Sequence, residues 1–267
     1  MDIATSLDAA PDLAMRPTKI SIRGVGKVFG DNVALEKVDL DLPENSFTCL
    51  LGPSGCGKST LLNMIAGFLK PSSGQILVDG KEVTAPGADR GVVFQEYALF
   101  PWRTALDNVC FGPMLKGKSK SEQRAIAMKH LATVGLAGHE QKYPGNLSGG
   151  MKQRVAIARA LANDPSVLLM DEPFGALDAQ TREVLQEEML RIWEQDRKTV
   201  VFVTHSISEA IFLADRIVVM GTRPGCVKEV VDPQLSHPRE RTDADFIALE
   251  RHLKHLVRAE VQKLGVH

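Results

Sequence analysis

The sequence predicts an α/β protein with a largely parallel sheet, and two observations support this prediction. Several strand-like runs, such as "VLLM" at 167–170 and "TVVFV" at 199–203, are continuously apolar rather than alternating. Strands of this kind are covered by helices on both faces, which is the usual environment of a parallel sheet. Between residues 95 and 163 the pattern becomes mostly helical, which predicts an inserted helical subdomain at about 96–163.

The predicted elements follow in a simple order. Strand-like runs recur at residues 19–23, 46–51, 75–78, 91–94, 166–170, 199–204 and 216–220. The helical region holds "KSKSEQRAIAMKHLATVGL" and "MKQRVAIARALA", separated by "AGHEQKYPGNLSGG". After Met220 come turn signals at "GTRPG", a Pro-punctuated stretch and a charged helical pattern from about 243 to 263. We therefore predict a flexible tail at 1–17, a main domain at 18–235 and a C-terminal helical extension at 236–267.

Composition excludes several classes of protein. The 32 basic and 33 acidic side chains give a net charge of −1, so nothing favours nucleic acid or an anionic membrane surface as a general partner. The four cysteines are widely spaced and form no C-x-x-C pair, so we expect neither a zinc site nor a disulfide framework. No apolar run approaches the roughly 18 to 20 residues that would span a bilayer, and the N-terminus lacks the pattern of a leader peptide. We expect a soluble chain in a reducing compartment.

The first motif is a glycine-rich turn in "LLGPSGCGKSTLLNMIAGF", residues 50–68. It matches G-x-x-x-x-G-K-[ST], in which successive backbone N–H groups point at phosphate oxygens. In this P-loop, residues 52–59, Gly57 allows close approach of the backbone, Lys58 suits the β- and γ-phosphates, and Ser59 suits Mg²⁺. The alternative is an ordinary turn between a strand and a helix. The apolar run before the motif and the helical spacing after it favour a phosphate site.

Two carboxylates end a buried apolar run in "VLLMDEP", residues 167–173. Asp171 is placed to hold Mg²⁺ indirectly, and Glu172 is placed to polarise an attacking water. The alternative is that the two acids only cap the next element. A P-loop in the same chain favours the catalytic interpretation.

A second candidate for phosphate binding is "NLSGGMKQR", residues 146–154. Ser148, Gly149 and Gly150 precede a helical pattern, so a hydroxyl and two unobstructed backbone amides lie at a helix N-terminus. By itself, "SGG" before a helix is most often a simple cap. Together with "GPSGCGKST" upstream and "LLMDEP" downstream, it resembles the signature sequence of ATP-binding cassette (ABC) ATPases.

The resemblance covers residues 18 to about 230 and supplies further site residues. Phe29 resembles the aromatic residue that stacks on adenine, Gln95 the Q-loop glutamine, Asp178 the D-loop aspartate, and His205 the switch histidine. Taken singly, Phe29 could be a core residue, and Gln95 and His205 could be hydrogen-bonding residues at strand ends. The implied nucleotide-binding residues are Phe29, Gly52, Pro53, Ser54, Gly55, Cys56, Gly57, Lys58, Ser59, Thr60, Gln95, Ser148, Gly149, Gly150, Asp178 and His205.

The family implies a fold and a mechanism. The fold is a P-loop NTPase core with an antiparallel β portion near the N-terminus and the inserted helical subdomain. Two ATP molecules lie head to tail between two cassettes, so this chain should work as a dimer with a second copy of itself. Glu172, His205, Gln95 and Lys58 would be the catalytic residues, and Ser59, Gln95 and Asp171 would hold Mg²⁺.

Three kinds of machine could use such a chain. The first is a membrane transporter, the second a soluble cassette acting on DNA, ribosomes or iron–sulfur assembly, and the third a small-molecule kinase. A kinase would leave "LSGGMKQR" without a role. The long coiled-coil insertion of DNA-repair cassettes and the second cassette of ribosome-associated ones are missing from this sequence.

The loop after Gln95 favours the transporter. "EYALFPWRTALDNVCFG" places Tyr97, Phe100 and Trp102 where the family docks its membrane permease, although such residues could also pack inward. "LFPW" with "DNV" resembles nitrate, sulfonate and taurine importers, while many other importers have histidine at the position of Trp102. The resemblance implies a peripheral protein at the cytoplasmic face of the inner membrane, served indirectly by a solute-binding protein.

Overall fold

A computed structural model describes residues 13–263, so most of the predicted N-terminal tail lies outside the described residues. Leu13–Met15 form a short 3-10 helix, as do Pro144–Asn146. The strands are β1 Thr18–Phe29, β2 Asn32–Pro43, β3 Phe47–Leu51, β4 Ser73–Val78, β5 Lys81–Glu82, β6 Arg90–Val93, β7 Val167–Asp171, β8 Thr199–Thr204, β9 Arg216–Gly221 and β10 Cys226–Val231. The helices are α1 Lys58–Ala66, α2 Ala105–Leu115, α3 Lys120–Thr133, α4 Gly149–Leu161, α5 Ala179–Gln195, α6 Ile207–Leu213 and α7 Ala244–Gln262.

The larger sheet has the strand order β10-β9-β3-β8-β7-β6 and confirms the predicted parallel core. Strands β6, β7, β8, β3 and β9 pair in parallel, and β10 joins the edge antiparallel to β9. Every residue of β3 and β8 is buried, which explains their continuous apolar runs. The carboxyl ends of parallel strands meet at one edge, so the loops after β3, β7 and β8 lie together there.

The smaller sheet, of order β2-β1-β4-β5, confirms the expected antiparallel portion near the N-terminus. The sequence-based strand at 19–23 was too short, because β1 extends over 12 residues. Strand β2 was not predicted at all. Its apolar residues alternate only at Val38, Leu40 and Leu42, after Lys37, which has a positive φ of 43°. The pairing with β1 is also irregular, so no two-residue period extends along the whole strand.

The inserted region contains the two predicted helices, α3 and α4, and a further helix, α2, that was not predicted individually. Thr104 caps α2 by accepting from the backbone N–H of Asp107, and Ser119 forms a capping box with Glu122 at the start of α3. The loop before α2 is fixed by the buried amide of Asn108, which accepts from Phe100 N and donates to three backbone carbonyls. This side chain fixes the conformation of residues 100–104.

The stretch after Met220 departs from the expectation of turns alone. A turn at 222–224 leads to Gly225, which forms an isolated parallel bridge with Leu35 of β2, and β10 follows directly. Helix α7 occupies the predicted C-terminal helical segment and buries Phe246 and Leu253. Among the described residues, no helix has the length and apolar character needed to cross a membrane. The proposed domain limits at residues 17 and 235 stay predictions.

Candidate active site

The P-loop connects the end of β3 to the start of α1. Gly55 and Gly57 adopt left-handed conformations with φ of 80° and 92°, which side chains other than glycine rarely adopt. A Cβ on Gly57 would also lie 2.5 Å from Cδ2 of Leu35. The loop therefore turns tightly against β2 and presents backbone amides and the N-terminus of α1 to the same space.

Lys58 is buried within this loop. Its ammonium donates hydrogen bonds to the carbonyl oxygens of Gly52 at 2.8 Å and Pro53 at 3.0 Å. The thiol of Cys56 lies 3.8 Å from the same ammonium, and burial raises the pKa of that thiol. Lys58 thus places a positive charge at the centre of the loop, with neutral acceptors that a phosphate oxygen can replace.

A groove of about 1080 Å³ opens over the P-loop. We call it the P-loop groove; it is lined by Phe29, Asn32, Val33, Ala34, Glu36, Ser54, Gly55, Gly57, Lys58, Ser59, Thr60, Glu172, Arg223, Pro224 and Gly225. Phe29, which lines this groove, is 47% exposed, so part of its ring is open for stacking against a ligand. Stacking of adenine on Phe29 stays a prediction.

Ser59 and Asp171 meet beside the P-loop. The Ser59 hydroxyl donates to Oδ1 of Asp171 at 2.8 Å, joining α1 to the end of β7. Burial raises the pKa of the Asp171 carboxyl, and the Ser59 hydrogen bond acts in the opposite direction. The two side chains bring a hydroxyl and a carboxylate oxygen together, which are ligands that Mg²⁺ accepts.

Glu172 and His205 form the second pair at this sheet edge. Oε2 of Glu172 lies 2.9 Å from Nδ1 of His205. Glu172 has a positive φ of 42°, and its backbone N–H donates to Val203 O of the neighbouring strand at 3.0 Å. Strained backbone of this kind is concentrated at functional sites, and here it turns the carboxylate into the P-loop groove.

Gln95 follows β6 at the same edge and is exposed. Its amide nitrogen lies 3.5 Å from the position that a Cβ on Gly175 would take, so it lies beside the segment that follows Glu172. It does not line the P-loop groove among the described residues.

The remaining predicted residues form a separate group. Ser148 caps α4 and accepts from Met151 N at 3.3 Å, while Asp178 caps α5 and accepts from Thr181 N at 3.0 Å. The Thr181 hydrogen bond lowers the pKa of Asp178. Ser148 lines a second groove of about 370 Å³, lined by Ser148, Gly150, Met151, Arg154, Gln180, Thr181 and Val184. Within the described part of one chain, this Ser148 groove shares no lining residue with the P-loop groove.

Sequence reasoning missed several residues of the P-loop groove. Asn32, Val33 and Glu36 belong to β2, where the only periodic signal was the short alternation of Val38, Leu40 and Leu42 farther along the strand. Arg223 and Pro224 come from the "GTRPG" turn, which the sequence identified only as a turn. Their position in the groove depends on the backbone pairing of Gly225 with Ala34 and Glu36, which no local pattern reports.

Comparison with known protein families gives a match. The sequence profile described as "ABC transporter" matches residues 35–175. This range includes the P-loop, the "LSGG" motif, and the carboxylates of Asp171 at the end of β7 and Glu172 after it.

Three relatives have names that state a transport role. A bicarbonate transport ATP-binding protein of Synechocystis is 53% identical over 229 residues, covering 83% of this chain and 81% of the relative. A nitrate import ATP-binding protein of Synechococcus elongatus is 52% identical over 227 residues, covering 81% and 82%. An aliphatic sulfonates import ATP-binding protein of Bacillus anthracis is 47% identical over 231 residues, covering 85% and 91%.

A solved structure shares the fold. It is an ATP-binding cassette in a dimeric, post-hydrolysis state bound to ADP and Pi, with a TM-score of 0.71 and 35% sequence identity. The match covers 81% of this chain and all of that one.

Proposed function

This chain belongs to the ABC transporter family, and we propose that it is the ATP-hydrolysing, energy-coupling subunit of an import system for a small oxyanion. The single observation that carries the ATPase role is the P-loop groove, which joins Lys58, Ser59 and Glu172 at one sheet edge. The names of the bicarbonate, nitrate and sulfonate relatives support the import role and the class of solute. This chain would not contact the solute itself.

ATP would lie along the P-loop groove. Its triphosphate would receive hydrogen bonds from the P-loop amides and from Lys58, which would exchange its two carbonyl acceptors for phosphate oxygens. The adenine would lie on the exposed ring of Phe29.

Mg²⁺ fits the chemistry of the residues present. No cluster of three or more His, Cys, Asp or Glu side chains suited to a metal occurs between residues 13 and 263, so the ion would depend on phosphate oxygens as well. The Ser59 hydroxyl and the Asp171 carboxylate would hold it, with Gln95 as a further oxygen ligand. When bound with ATP, the ion offsets phosphate charge.

Hydrolysis needs a water aligned with the terminal phosphate. The Glu172 carboxylate would orient this water and accept its proton as the water oxygen bonds to the terminal phosphorus and the P–O bond to ADP breaks. His205 lies 2.9 Å from that carboxylate and would hold it in position while contacting the terminal phosphate from the other side.

The Ser148 groove supports a dimer. The signature residues Ser148, Gly149 and Gly150 lie apart from the P-loop of their own chain, so they would complete the site of a second copy. The dimeric state of the solved cassette bound to ADP and Pi supports this arrangement. Two chains placed head to tail would enclose two nucleotides.

The membrane partner would dock on the loop that precedes α2. Trp102 is 72% exposed, and Phe100 lies beside it with ring centroids 5.8 Å apart. Tyr97 lies at the start of this loop, which Arg159 holds by donating to the backbone oxygens of Tyr97 and Ala98. A permease docked there would place the chain at the cytoplasmic face of the membrane, and a solute-binding protein would deliver the oxyanion from the other side.

The test is reconstitution of transport. The chain and a permease from an oxyanion import system are placed together in liposomes, and uptake of labelled nitrate, bicarbonate and an alkanesulfonate is measured with the matching binding protein. We expect ATP-dependent uptake of one of the three and no uptake with Glu172→Gln. ATP hydrolysis without uptake of any of them would refute the oxyanion assignment, and failure to associate with any permease would favour a soluble cassette.

A further inference from the structure

A buried carboxylate lies directly behind the loop that carries His205. Glu209 of α6 is 6% exposed and accepts a hydrogen bond from the hydroxyl of Thr204, the last residue of β8. The same Thr204 oxygen accepts from Ser206 N at 3.0 Å, and Ser206 Oγ accepts from Glu209 N at 3.3 Å. The residues on both sides of His205 are therefore held to Glu209.

Glu209 is in turn held by an amide from a different helix. Nε2 of Gln186, in α5, donates to Oε1 of Glu209 at 2.9 Å, and Gln186 is only 2% exposed. A buried carboxylate is costly unless its oxygens receive hydrogen bonds, and Thr204 and Gln186 supply one to each oxygen. The orientation of the Gln186 amide therefore decides whether Glu209 receives a donor.

Arg241 fixes that orientation from the C-terminal segment. Its Nη2 donates to Oε1 of Gln186 at 2.5 Å, so the amide nitrogen must face Glu209. The guanidinium lies 4.4 Å from the ring centroid of Phe212 on α6, and its Nη1 lies 3.9 Å from Glu183. These contacts hold the planar group in place, and the side chain remains 30% exposed.

We propose that Arg241 is a positioning residue for ATP hydrolysis, which acts on the His205 loop through Gln186 and Glu209. We call Arg241, Gln186, Glu209 and Thr204 the Glu209 network. This inference rests on the ATPase activity in the proposed function, but not on the solute or the membrane partner. It gives the segment between β10 and α7 a role in catalysis, although no atom of Arg241 lines the P-loop groove.

The mechanism follows from the two ends of the network. His205 must keep its nitrogen 2.9 Å from Glu172, while its neighbours Thr204 and Ser206 depend on Glu209. Without Arg241, the Gln186 amide is free to rotate. Its oxygen could then face Glu209 and would repel the Glu209 carboxylate. Small displacements of a catalytic group reduce turnover more than they reduce substrate binding.

The test compares Arg241→Ala with Arg251→Ala in the purified full chain. Arg251 is an exposed arginine of α7 with no hydrogen bond or ion pair among the described residues. We expect Arg241→Ala to lower kcat for ATP about five- to tenfold with KM within about twofold of wild type, since the lost contact orients a catalytic group. Arg251→Ala should match wild type, and Arg241→Lys should recover part of kcat because it still donates to Gln186.

A double variant tests whether the effect passes through His205. In a His205→Ala background, measured by single turnover, Arg241→Ala should cause no further loss. An equal loss in both backgrounds, or an unchanged kcat in Arg241→Ala, would overturn the proposal. The proposal would also be overturned if the loss of activity in Arg241→Ala only matched a loss of folded protein in a thermal melt, because Arg241 would then have a structural role alone. Wild-type protein without any ATPase would instead refute the proposed function.

Discussion

His205 and Glu172 are joined by a contact of 2.9 Å between Nδ1 of the imidazole and Oε2 of the carboxylate. The two residues follow neighbouring parallel strands, β8 and β7, and the backbone of Glu172 is turned to a positive φ of 42°. The pair therefore places one carboxylate oxygen in a defined position beside the P-loop, which is what activation of a water requires.

The first prediction concerns this carboxylate. Glu172→Gln should keep ATP affinity within about threefold, because the amide preserves size and shape, while hydrolysis falls at least about a hundredfold with the lost base. Phosphate release and binding of a fluorescent ATP analogue measure the two quantities. Glu187→Gln, an exposed glutamate of α5, is the control and should hydrolyse like wild type. Wild-type turnover in Glu172→Gln would remove Glu172 from the proposed role.

The second prediction concerns the P-loop lysine. Lys58→Ala should weaken ATP binding about tenfold to a hundredfold, because the triphosphate loses a buried, charge-assisted hydrogen bond. Isothermal titration with ATP measures it. Lys120→Ala, an exposed lysine at the start of α3, should bind as wild type does. Equal ATP affinity in Lys58→Ala would contradict the assignment of the P-loop groove.

The third prediction concerns the Ser148 groove. Ser148→Arg in a Glu172→Gln background should bind ATP as a monomer but fail to dimerise with it, because the longer side chain fills the site that the second copy's nucleotide would occupy. Light scattering with and without ATP measures this. Ser121→Arg, at an exposed position of α3, makes the same change of side chain and should still dimerise. Dimerisation of Ser148→Arg would refute the head-to-tail arrangement.

Motifs with a fixed chemical task could be identified from the sequence. The P-loop, "LSGG" and the two carboxylates at the end of β7 have local spacing that the chemistry itself requires. The Glu209 network could not be identified in this way, because Gln186 is 23 residues from Glu209 and 55 from Arg241. Strand β2 was missed for a different reason, since its apolar residues alternate only after the irregularity at Lys37. Sequence patterns therefore do not predict contacts between distant segments or local irregularities of the backbone.

The fourth prediction concerns acid stability. Burial lowers the pKa of His130 on α3, and its Nδ1 is buried with no hydrogen-bond partner among the described residues. The unfolded chain therefore binds a proton more readily than the folded chain does, so stability falls as pH drops through about 6.5, the ordinary pKa of histidine. Between pH 7.5 and 5, the melting temperature of His130→Gln should fall less than that of wild type.

The control for this prediction is His255→Gln, an exposed histidine on α7. Thermal melts without nucleotide, at matched ionic strength, give the comparison. We expect the His255→Gln melt to follow wild type across the pH range. A His130→Gln melt that falls in parallel with wild type would show that His130 does not account for the acid sensitivity.

The last prediction separates the docking role of Trp102 from the structural role of Phe100. Trp102 is 72% exposed, whereas Phe100 is half-buried, with its ring centroid 4.8 Å from Phe111. Trp102→Ala should leave the melt of the free chain unchanged and weaken association with the permease more than about tenfold, as the loss of an aromatic anchor does. Phe100→Ala should lower the melting temperature as well, because it leaves a gap in packed aromatic side chains. Co-purification from detergent measures association, with Ile247→Ala on α7 as the control for an exposed apolar residue elsewhere. If Trp102→Ala melts like wild type and still associates with the permease as wild type does, the permease docks on another surface.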